Sequence, residues 1–78
     1  MPRAILHVVH AHESDQWQLE QNGQLLSRFD TKQRAEEEGA RRSAELHCRG
    51  LSAQMIVHRR DGSIENEYAF GHDLQLAI

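Results

Sequence analysis

The chain has 78 residues and a mass of 9.0 kDa, enough for one domain with a small core, because a chain of this size buries only about 60% of its unfolded surface. Hydrophobic residues at 38%, charged residues at 27%, a net charge of −3 and a pI near 6.0 disfavour a globally basic nucleic-acid binder. No apolar run approaches the roughly 18 residues of a membrane span, the start lacks a signal-peptide pattern, and the single cysteine makes neither an internal disulfide nor a cysteine zinc cage, so a cytoplasmic protein without membrane attachment is expected.

Residues 4–11 (AILHVVHA) are short and rich in β-branched side chains, which favours a strand. Residues 16–20 (QWQLE) alternate strictly, with Trp17 and Leu19 on one face. Asn22-Gly23 follows, a strong hairpin signal because both central residues of a type I′ turn need positive φ. Residues 24–29 then form the return strand, ending at Phe29. Asp30 or Thr31 caps a helix through a side-chain oxygen. The helix runs over residues 32–48, rich in Ala, Glu, Arg and Gln. Glu37 and Arg41, Glu38 and Arg42, and Glu45 and Arg49 stand four apart with the acid first, each pair worth about 0.2–0.5 kcal/mol. Its inner face is lean, with Ala35, Gly39, Ser43 and Leu46, so it lies close against a sheet, and Gly50 stops it. Residues 52–58 (SAQMIVH) read as a buried strand. Arg60-Asp61-Gly62 supplies a second hairpin turn, and Ile64, Asn66, Tyr68 and Phe70 alternate with Glu65, Glu67 and Ala69 in a half-buried last strand.

The expected fold is α+β: a mainly antiparallel sheet of about five strands with one helix on one face, in the order β-β-β-α-β-β. One small domain spans residues 1–73, and an apolar tail, 74–78, either folds back or exchanges between chains.

Several residues in this order also resemble a known family. They are His7-Val8-Val9, Trp17 in its alternating strand, Asp30-Thr31-Lys32 with Ala35, the run from Val57 to Ile64 that contains Arg60-Asp61-Gly62, and Tyr68 with Gly71 and Asp73. Together they are similar to the small bacterial domain-of-unknown-function family 2188, over roughly residues 5–73. Arg59 departs from the family, which usually has glycine there, and the apolar residues after Asp73 depart from its polar, proline-rich tendency. The resemblance implies the same architecture and no activity, ligand or catalytic residue.

Candidate chemistry is sparse. His10 and His12 share a strand face near Glu13 and Asp15, but no third metal ligand is fixed by spacing, so the plainer reading is a strand end entering a polar turn. Cys48 lies near the helix C-terminus, where the dipole opposes a thiolate, and is expected to be an inert thiol at least half-buried. No serine has a nucleophile-elbow context, and no glycine loop is built to cradle phosphate. The expectation is therefore no enzyme, no cofactor, no catalytic residue and no metal.

Residues 28–60 hold eight of the nine basic side chains, and Arg28, Lys32, Arg34, Arg59 and Arg60 are candidate anion contacts. Against them stand Glu36, Glu37 and Glu38 and the low aromatic content, so nucleic-acid association ranks second and a salt-bridged surface first. The leading expectation is a small interaction module that acts by self-association or by docking a protein partner. Ile5 and Val9 line one face of the first strand and Leu6 and Val8 the other; Met55 and Val57 oppose Ile56 in the fourth. Strands apolar on both faces are usually covered on both, and one helix covers one. A homodimer is therefore expected, with Leu6, Val8, Ile56, Leu74, Leu76 and Ile78 as the candidate surface. Trp17 is expected in the core beside Leu19, Phe29 and Leu46.

Overall fold

A computed structural model describes residues 3–70. The tail residues Leu74, Leu76 and Ile78, and the end of the expected domain at 73, lie outside the described residues. The elements are β1 (Arg3–Ala11), β2 (Gln16–Gln21), β3 (Gln24–Phe29), α1 (Lys32–Cys48), β4 (Ser52–His58) and β5 (Ile64–Phe70). They form an α+β fold in which the five strands make one sheet, ordered β3-β2-β1-β4-β5. Three strand pairs are antiparallel and one, β1 with β4, is parallel. The parallel pair follows from the connection. α1 carries the chain from the β3 edge across the sheet, so β4 can join the far side of β1 running the same way.

Local chemistry sets the turns. Asn22 and Gly23 both have positive φ, 52° and 85°, as a type I′ hairpin requires. Asn22 also ties this turn to β1, donating its N–H to the Ile5 carbonyl and accepting the Ile5 N–H on Oδ1. The β4–β5 turn is longer. The Gly62 N–H donates to the Arg59 carbonyl, Gly62 alone takes positive φ (93°), and Asp61 Oδ1 accepts from the backbone and hydroxyl of Ser63. Thr31 rather than Asp30 caps α1, accepting the Arg34 N–H at 3.2 Å. At the other end Gly50 turns left-handed (φ 86°) and the Leu51 N–H reaches back to the Leu46 carbonyl.

α1 packs on one side of the sheet through Ala35, Gly39 and Ser43, all buried. Beneath it lie Ala4, Leu6, Val8, Trp17, Leu19, Ala53, Met55 and Val57, with Phe29 and Leu46 against the margin of this core. The small helix residues let the backbones approach: a Cβ added at Gly39 would stand 2.5 Å from Met55 Sδ and 3.2 Å from Leu19 Cδ1. Trp17 is 7% exposed and faces Phe29 across the β2–β3 pair, as its alternation indicates.

Four details differ from the sequence reading. Leu6 and Val8 are fully buried under α1, so they cannot share an outer surface with Ile56; the outer face of β1 is Ile5, His7 and Val9. Cys48 is exposed at the last helical position. Glu38 pairs with Arg41 one turn on, at 2.6 Å, while Arg42 donates to Gln21 Oε1 on β2. Irregular registers in β2–β3 and β4–β5 put Leu26 and Glu65 on the helix side and move Ile64 to the outer face beside His58. No described helix is long and apolar enough to cross a membrane.

Candidate interaction surface

The second face of the sheet has no layer over it among the described residues. Strand alternation and register place its residues. β1 contributes Ile5, His7 and Val9, β4 contributes Gln54, Ile56 and His58, and β2 contributes Gln18 and Glu20, all half-buried by their neighbours. The edges add larger exposed groups: Leu25 on β3, 44% exposed and opposite Glu20, and Ile64 on β5, 50% exposed and opposite His58. Apolar side chains thus occur on four of the five strands. Charge on the face has both signs, with Arg28 against Glu20 and Glu67. Glu67 accepts from Gln54 at 3.1 Å.

Near the middle, adjacent strands bring two histidines together. His7 Nδ1 and His58 Nε2 are 3.0 Å apart, and the rings stack with centroids 5.3 Å apart. His58 Nδ1 lies 3.0 Å from the Gly62 carbonyl, so it carries the proton and donates. In the neutral ring Nε2 is then the acceptor, and His7 Nδ1–H donates to it. Burial, and then the neighbouring His58, push the His7 pKa below its ordinary value, against the opposing charge of Glu20 across the β1–β2 pair.

A polar cluster lies where the C-terminal end of β1 meets the start of β2. His10 is on the helix side, its side chain 3% exposed, with its ring 5.0 Å from that of Trp17. Its Nε2 donates to Asp15 Oδ1 at 2.9 Å, and Arg60 reaches the same oxygen at 3.3 Å. The hydrogen bond from His10, with Arg60 behind it, holds the Asp15 carboxyl below the usual carboxylate range. His12 contacts His10 ring to ring but is itself exposed, and among the described residues His10 and His12 do not gather with a third ligand into a metal-binding group.

The candidate anion contacts are dispersed. Lys32 bonds Glu65 and stands 5.7 Å over the Trp17 ring, and Glu65 is held below its ordinary pKa by that bond. Arg59 is tied into its own hairpin through Ser63 and the Ile64 carbonyl. Arg60 pairs with Asp15, Arg28 is on the open sheet face, and Arg34 is exposed in the first turn of α1. Separately, an open groove of about 330 Å³ runs between α1 and β5, lined by Gln33, Ala40, Met55, Tyr68 and Phe70.

Sequence reasoning found Ile56 and the apolar character of both faces of β1. It missed the His7–His58 pair, which only the parallel β1–β4 pairing creates. No curated protein and no solved structure matches the chain. A family model does match over residues 6–70, and on that match the chain belongs to the family described as an uncharacterized protein conserved in bacteria, DUF2188.

Proposed function

We propose that this chain is a non-enzymatic interaction module that pairs with a second copy of itself through the uncovered sheet face. The supporting observation is the distribution of apolar groups: Ile5, Val9 and Ile56 on the central strands, flanked by Leu25 and Ile64 at the two edges. An antiparallel-type sheet face open to water is ordinarily polar throughout; on this one Ile5, Val9 and Ile56 interleave with His7, Gln54 and His58 on the central strands.

The area suits a modest dimer. Five strands spaced about 4.8 Å apart, each about 20 Å long, present about 500 Å². Two such faces bury about 1,000 Å² in total, the lower end for a specific interface, which corresponds to weak, concentration-dependent pairing. Mixed charge on the face means that a second copy meets no field of a single sign. A different protein with a flat apolar face is the competing occupant.

Sedimentation equilibrium from about 5 to 200 µM tests the reading across the range expected for weak association. The expected mass rises from 9.0 kDa toward twice that value, and Ile56→Glu holds it at 9.0 kDa with unchanged circular dichroism. Pairing driven by apolar burial also persists at high salt, whereas phosphate contacts weaken steeply. A wild-type chain that stays at 9.0 kDa throughout overturns self-pairing.

A further inference from the structure

The His7–His58 pair is set up for more than a hydrogen bond. We propose that His7 Nδ1 and His58 Nε2 chelate one divalent transition metal of the copper or nickel type on the open sheet face. Two imidazole nitrogens, each about 2.0–2.1 Å from a metal and at right angles, are about 2.9 Å apart; tetrahedral ligands are about 3.4 Å apart. The observed 3.0 Å is the length of the hydrogen bond that now joins the pair, and it already holds the two nitrogens within a few tenths of an ångström of the spacing one ion requires. Imidazole nitrogens completed by oxygen ligands suit Cu²⁺ and Ni²⁺.

Orientation supports the same assignment. Metal-ligating histidines typically donate their second ring N–H to a carbonyl or carboxylate, which fixes the ring and raises ligand basicity. His58 does this already, through Nδ1–H to the Gly62 carbonyl. That leaves the Nε2 lone pair facing His7. The His7 proton moves from Nδ1 to Nε2 when the metal binds, a change of tautomer with no net proton lost. Glu20, paired with His7 across β1 and β2, adds negative charge nearby. Among the described residues no group of three histidine, cysteine or acidic ligands gathers, so the chain supplies two imidazoles and water fills the remaining positions in the unpaired chain. The two ligands come from strands 51 residues apart in sequence, so the sheet pre-pays the cost of bringing them together.

The test is a Cu²⁺ titration of the wild-type chain, read by electron paramagnetic resonance and by loss of imidazole ¹⁵N signals. The expected spectrum shows two imidazole nitrogens per copper, and the His7 and His58 ring signals broaden first. His7→Ala and His58→Ala each weaken binding by about 100-fold, because one imidazole loses its chelate partner. His12→Ala leaves it unchanged. The broadening pattern needs no substitution, so it decides the matter even where a variant folds poorly. Broadening that begins at His12 or His47, one imidazole per copper, or affinity weaker than millimolar would overturn the assignment.

Discussion

Gly39 offers a sharp test of how closely the helix approaches the sheet. In an exposed helix, glycine to alanine gains about 1 kcal/mol from backbone entropy alone. Here the new methyl would stand 2.5 Å from Met55 Sδ and 3.2 Å from Leu19 Cδ1, both inside van der Waals contact. Overpacking of this kind costs about 1–3 kcal/mol. Methionine is flexible, and Met55 borders the α1–β5 groove, so its sulfur has somewhere to move. The two terms leave Gly39→Ala net destabilising by about 0–2 kcal/mol. Met55→Val removes the sulfur and suits a strand. In that background Gly39→Ala recovers its helix gain, so the double-mutant cycle shows a coupling of about 1–3 kcal/mol. Urea unfolding followed by circular dichroism measures all four chains. A Gly39→Ala gain of a full 1 kcal/mol (about that of an exposed helix position) in the wild-type background, with no coupling, would refute the close approach.

Other substitutions separate the remaining contributions. Ser43 is fully buried and its hydroxyl has no hydrogen-bond partner among the described residues, so Ser43→Ala should raise stability by about 0.5–2 kcal/mol and lift Tm accordingly; a loss of stability would mean that the hydroxyl is satisfied. Trp17→Ala should cost about 3–5 kcal/mol, and native Trp17 fluorescence should be blue-shifted; water-exposed emission would contradict its place under α1. Burial holds the His7 pKa below its ordinary value in the folded chain, so the unfolded chain binds more protons and stability falls as the pH is lowered through the ordinary histidine range. His7→Asn should flatten that part of the slope, and an unchanged slope would show that His7 is not its source.

Much of the architecture could be read locally. Alternation around Trp17, the positive-φ pair Asn22-Gly23 and the Thr31 cap all act within a few residues, and each element appears where they point. Faces were harder. Leu6 and Val8 are as apolar as Ile5 and Val9, so periodicity within β1 does not say which pair meets the helix; the pairings Leu6 with Met55 and Val8 with Val57 decide it. The registers of β5 were likewise hidden, because one extra residue at Glu65 returns Ile64 to the opposite face. His7 and His58 carry no shared local signal, since their contact depends on a crossover that joins distant strands side by side. The cationic residues looked clustered because sequence proximity hides direction: Lys32, Arg59 and Arg60 each turn to a separate partner.

The outer sheet face is proposed to meet a second copy, and contact between copies can be observed directly. In a mixture of ¹³C-methyl-labelled and unlabelled chains, an isotope-filtered NOE experiment detects only protons that approach across the interface. The prediction is intermolecular contacts from the methyls of Ile5, Val9 and Ile56 and from those of Leu25 or Ile64 at the edges. Contacts that arise only from the outer surface of α1, or none at concentrations where the mass has doubled, would contradict it.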